Sequence, residues 1–69
     1  MDREDILESM QQYLKGNIEK HRINVEVLLE RAIGVSEHPN LVETIEGELA
    51  IMADYDDKLI ILENYFNGE

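Results

Sequence analysis

From Asn40 to Phe66 the chain returns an apolar residue every seven positions, at Ile45, Met52, Leu59 and Phe66. Leu41, Tyr55 and Leu62 fall three or four residues from these. An α-helix turns once in about 3.6 residues, so side chains at this spacing gather into one stripe. Such a stripe is the seam of a helix that packs against other helices. The pattern therefore dictates an architecture for this segment and names no chemistry.

A second pattern precedes it. Leu7, Met10, Leu14, Ile18, Val25, Leu28 and Ala32, with His21 included, stand three or four residues apart throughout. This predicts helix 1 over about 3–33. It opens on Asp2, Glu4 and Asp5, whose charge suits the positive end of a helix dipole. Gly16-Asn17 weakens it, since a glycine inside a helix costs about 1 kcal/mol against alanine. The apolar register continues across the weak point, so one continuous helix is expected. A competing signal lies at Ile23-Asn24-Val25-Glu26-Val27, which alternates in the manner of a β-branched strand. A lone strand in so short a chain finds a partner only in another subunit. The helical reading is preferred, and it sets Ile23 and Val27 off the main stripe.

The clear break is the turn at 34–40. Gly34 stands where a helix C-cap takes a left-handed residue, and Val35 is placed to fold back on the last turn. Pro39 disfavours helical geometry at His38 and is itself tolerated as a first helical residue. Asn40 with Glu43 forms a weak capping-box pattern, with Ser36 as a competing cap. Helix 2 is expected over about 40–66, stopping before Asn67-Gly68-Glu69. Residues 1–69 make one helical-hairpin domain, since a short turn leaves two helices as antiparallel neighbours.

A hairpin does not use all the apolar residues. Leu59-Ile60-Ile61-Leu62 with Tyr65-Phe66 covers most of the circumference of helix 2, and Ile51, Ile61 and Tyr65, like Ile23 and Val27 on helix 1, lie off the seam. A helix apolar nearly all round is expected to be buried nearly all round. Five such side chains left in water forgo roughly 10 kcal/mol, comparable to the net stability of a whole domain. The fold class expected is all-α: an antiparallel two-helix hairpin that dimerises into a four-helix bundle. Ile23, Val27, Ile51, Leu59, Ile61, Leu62, Tyr65 and Phe66 are the candidate dimer-interface residues.

Net charge is −10 and unevenly placed. Residues 1–33 hold seven acids against five bases; residues 34–69 hold nine acids against Lys58 alone. Nucleic acid and anionic lipid are repelled by such a surface, because both require clustered Lys and Arg. A basic protein is the permitted class of partner, and Glu43, Glu46, Asp54 and Asp57 form the candidate acidic partner face. The plainer role of such a face is solvation. The acidic start, Met1-Asp2-Arg3-Glu4-Asp5, is unlike a secretory signal, and no apolar run approaches the roughly 18 residues of a membrane span. With no cysteine there is no disulfide framework and no thiolate metal site. Cytoplasmic residence is expected.

Chemistry is hard to place on this chain. Helical bundles bind paired metals through Glu-x-x-His, but Ile18 and Val35 stand three residues before His21 and His38. Asp54-x-Asp56-Asp57 lacks the glycine and the glutamate of a calcium loop. There is no glycine-rich phosphate loop and no Ser–His–acid grouping. No catalytic residue, metal or cofactor is expected, and the chain does not read as an enzyme. His21 is the one polar residue on the seam of helix 1. It suits a pH-sensitive group, a residue that sets register, or a simply hydrogen-bonded histidine.

The runs Ile-Asn-Val-Glu-Val at 23–27, Gly-Val-Ser-Glu-His-Pro-Asn at 34–40, Glu-Thr-Ile-Glu at 43–46 and Tyr-Asp-Asp-Lys-Leu at 55–59 resemble a family of small acidic proteins of marine tailed phages, particularly cyanophage myoviruses. The resemblance covers about residues 23–66. It implies viral origin and an accessory role in the cytoplasm of an infected bacterial cell, and it carries no activity or site residue. The function expected is that of a non-enzymatic interaction protein. Two alternatives stand beside it: an acidic mimic of nucleic acid that binds a basic host protein, and a minor virion or assembly component.

Overall fold

A computed structural model describes residues 1–32 and 40–66. Helix α1 spans Arg3–Ala32 and helix α2 spans Leu41–Tyr65. The two pack side by side and run antiparallel. Arg3 Nη2 donates to the Phe66 carbonyl at 2.7 Å near one end, and His21 meets Glu48 toward the other.

α1 begins where the first acids stand. Asp2 Oδ1 accepts the Asp5 N–H at 2.9 Å, and Asp5 Oδ2 faces the Asp2 N–H at 3.4 Å. This reciprocal pair occupies two of the backbone donors that a helix start leaves free. The helix then runs unbroken through Gly16, where Asn17 Nδ2 donates back to the Tyr13 carbonyl at 2.9 Å. Ile23–Val27 is helical, which removes the strand alternative. Apolar spacing of three and four along the whole segment outweighs a five-residue alternation with nothing to pair against.

α2 starts differently from the expectation. Asn40 precedes it with φ −104° and ψ 3°, and its side chain makes no cap hydrogen bond. The expected Asn40–Glu43 capping box is therefore not formed. The Asn40 carbonyl instead accepts both the Thr44 N–H at 2.9 Å and the Thr44 hydroxyl at 2.8 Å. At the far end Phe66 closes the helix, its N–H donating to the Leu62 carbonyl at 3.0 Å. Phe66 lies beyond the last helical turn and is half exposed, so it does not extend the seam. The expected features at Ile33, Gly34, Val35, Ser36, His38, Pro39 and Gly68 lie outside the described residues.

The shared seam is thin. Among the described residues Leu14 alone is fully buried, at 2% exposure. Leu7, Ile18, Val25 and Leu28 on α1 are partly buried, as are Leu41, Ile45, Met52, Tyr55, Leu59 and Leu62 on α2. Met10, expected on the seam, sits at its edge and is exposed. Two facing stripes can shield only each other, and a side chain at either margin keeps one side in water.

Candidate functional site

The most organised polar group of the hairpin lies on this seam. Glu48 falls three residues after Ile45 and four before Met52, so helical spacing sets it among the inward apolar residues of α2. His21 occupies the equivalent place on α1, three residues after Ile18 and four before Val25. Antiparallel packing brings them together. His21 Nδ1 lies 2.6 Å from Glu48 Oε1, and Asn24 Nδ2 donates to the same oxygen at 3.0 Å. The His21 and Glu48 side chains keep 13% and 20% of their exposure. The hydrogen bond with His21, seconded by Asn24, holds the Glu48 carboxyl below the usual carboxylate range.

Aromatic rings extend the cluster toward the chain ends. Tyr55 stacks on His21 with centroids 6.3 Å apart and an interplanar angle of 21°. Tyr13 meets Tyr55 edge-on at 6.4 Å and 79°. Lys58 Nζ stands 5.3 Å over the Tyr55 ring and 3.0 Å from Asp54 Oδ2. The pair with Asp54 raises the Lys58 pKa. The whole forms a path from Asn24 through Glu48, His21 and Tyr55 to Lys58 and Asp54. A polar pair at this depth favours one alignment of the two helices, because sliding by a turn leaves a carboxylate among apolar side chains without its donors.

Glu48 Oε1 already accepts hydrogen bonds from His21 and Asn24. Among the described residues no three His, Asp or Glu side chains converge on a point that suits a metal. The surface hollows are shallow. One of about 240 Å³ is lined by Asn24, Val27, Leu28, Thr44 and Glu48, and one of about 250 Å³ by Ile18, Met52, Ala53 and Asp56. No described helix is long and apolar enough to cross a membrane.

The acids anticipated as a partner face all belong to α2. Glu43, Glu46, Asp54 and Asp57 are all exposed and lie on the side of α2 turned from α1. Asp54 is engaged by Lys58. The anticipated interface residues do not form one surface. Leu59 and Leu62 are partly buried within the hairpin. Val27, Ile51 and Tyr65 lie along one flank, exposed by 49%, 38% and 72%. Ile23 and Ile61 point outward from the backs of their helices, at 48% and 51% exposure. Phe66, also half exposed, follows the last turn of α2.

Sequence reasoning singled out His21 and missed its partner. Glu48 was one acid among the seven of helix 2. Its seam position, three from Ile45 and four from Met52, was the available signal. No protein-family model, no curated protein and no solved structure matches this chain.

Proposed function

We propose that the protein is a non-enzymatic interaction module whose working form is a pair of hairpins packed as a four-helix bundle. The supporting observation is the near absence of a core: among the described residues only Leu14 is fully buried, while large apolar side chains at Ile6, Tyr13, Ile23, Leu49, Ile60 and Ile61 stay about half exposed. Full burial of a side chain of this size contributes about 1.5–3 kcal/mol. A chain of 69 residues has a net stability of roughly 3–10 kcal/mol at typical values per residue. A second surface that covers several of these residues therefore contributes as much as the hairpin's entire margin. Closed two-fold association is the commonest way to supply one.

Sedimentation equilibrium across a range of concentrations tests this. A dimer at micromolar concentration is expected. Leu62→Asp, which sets a charge beside the seam, should dissociate or unfold it. A fully stable monomer at every concentration refutes the reading.

A second reading, a regulator that mimics nucleic-acid charge, is favoured by the outward stripe of Glu43, Glu46, Asp54 and Asp57. Its signature is capture of a basic protein that weakens steeply with added salt. The resemblance to small acidic phage proteins supports an accessory role for either form.

A further inference from the structure

We propose that the second copy docks on one particular flank of the hairpin, marked by Ile6, Met10, Tyr13, Val27, Ile51 and Tyr65. This rests on the self-association reading above and adds the surface. The two flanks are identified by contacts across the seam. The Tyr13–Tyr55 and Asn24–Glu48 contacts lie on one side, and the Gln11–Glu63 hydrogen bond at 3.5 Å lies on the other. Successive helical residues turn by about 100°, which assigns the remaining side chains to one side or the other.

The side of Tyr13 is apolar and open. Ile6 is 53% exposed, Tyr13 57% and Tyr65 72%. Tyrosine and methionine are residue types favoured at the centres of interfaces, where a large ring or a flexible thioether fills an irregular surface. The side of Gln11 also exposes Leu29, Val42, Leu49 and Ile60, but it is where most of the exposed acids collect, among them Glu4, Glu8, Glu46, Asp57 and Glu63, against the bases Lys15 and Arg22, the second paired with Glu19 and Glu26. The side of Tyr13 carries the bases Lys20 and Arg31 and, toward the back of α2, the exposed acid Glu43. Glu48 is held there by His21 and Asn24, and Lys58 by Asp54.

This division of charge selects the occupant. Two copies of a chain of net charge −10 repel unless their acids are kept apart. Meeting by the Tyr13 flanks turns both acid-rich flanks outward, to opposite sides of the bundle. Meeting by the Gln11 flanks sets the acids against each other. A basic partner is drawn to the acid-rich flank and leaves the Tyr13 flank uncovered. A second copy fits it, with Lys20 and Arg31 lowering the repulsion across the contact. The hairpin is 52 Å long and 17 Å across, a footprint close to the roughly 800 Å² per partner of a standard stable interface.

The test compares Tyr13→Glu with Leu49→Glu, a substitution on the opposite flank at similar exposure, 51%. Helicity is checked by circular dichroism and self-association by sedimentation velocity over a concentration series. Tyr13→Glu should weaken the dimer by about thirtyfold or more, the range for loss of a central interfacial aromatic, while Leu49→Glu changes it by less than about threefold. A dimer weakened by Leu49→Glu and indifferent to Tyr13→Glu overturns the choice of flank and leaves self-association standing. A wild-type chain that is monomeric throughout, or that meets only a different protein through Tyr13, overturns both.

A second measurement does not depend on the glutamate variants folding. The chain has no cysteine, so spin labels can be set singly at Lys20→Cys or Arg22→Cys in otherwise unchanged protein. Dipolar spectroscopy should give a shorter distance between copies from Lys20→Cys, on the docking flank, than from Arg22→Cys, on the acid-rich one. The reverse order overturns the proposed surface.

Discussion

Replacing both interior glycines by alanine should make the protein markedly more stable. Gly16 lies in the middle of α1 and Gly47 in the first half of α2. A Cβ built on either meets nothing within 4 Å. No described glycine has positive φ, so neither position needs the freedom that only glycine has. The expected gain is the helix-propensity difference, about 0.8–1 kcal/mol for each site, which arises mainly from the reduced freedom of the unfolded chain. The sites lie on different helices and share no partner, so the effects should add to about 1.5–2 kcal/mol. For a domain of this size each kcal/mol moves Tm by about 4–8 °C, so Gly16→Ala/Gly47→Ala should melt roughly 6–16 °C higher than the parent. The assay is thermal unfolding followed by circular dichroism. Chain concentration must be fixed, because association makes Tm depend on it. A lower Tm for either single variant refutes the reasoning. It requires another backbone or side chain close against that glycine, or a helix that bends there.

Three further outcomes follow from the same geometry. Leu14→Ala removes the side chain that alone is fully buried among the described residues and should cost about 2–3 kcal/mol in urea unfolding, the low end for such changes because a thin seam relaxes into the space; a loss below about 1 kcal/mol means the seam does not hold the hairpin. Glu48 is a carboxyl whose folded pKa is depressed by His21 and Asn24, so its stabilisation is full above the ordinary carboxylate range and lost as pH falls below it through the depressed folded pKa. The stability gap between the parent and Glu48→Gln should shrink on acidification, and a gap independent of pH between neutrality and strong acid contradicts the pairing. Replacing Glu43, Glu46 and Asp57 by Gln or Asn should preserve helicity and strengthen self-association at low salt by relieving repulsion; loss of capture of a basic protein by the same variant favours the charge-mimic reading.

Much of the backbone was legible before any coordinates. Spacing of three and four from Leu7 to Ala32 and from Leu41 to Leu62 is a local property, and it yields α1 and α2 with their inward stripes. Gly16 did not obscure this, because one unfavourable residue is outweighed by a long consistent face. The errors were also local. Asn40 looked like a cap by residue type, whereas capping depends on backbone angles, and its φ of −104° and ψ of 3° are not the extended geometry that aims a cap side chain at the first turn. The reciprocal Asp2–Asp5 cap passed unnoticed because aspartate at the third helical position departs from the usual glutamate.

Residue spacing alone dictates that this chain makes helices, which residues face inward, and that apolar side chains outnumber the places one hairpin has for them. Those facts follow from periodicity and charge count along a single element. Packing of the two helices adds that His21 meets Glu48, that Tyr55 links His21 to Tyr13, and that most of the exposed acids collect on the flank away from Tyr13. Each of these depends on the rotation and vertical alignment of one helix against the other. Neither quantity is written in either helix alone, because a stripe shifted by one turn keeps its apolar face and changes every polar partner.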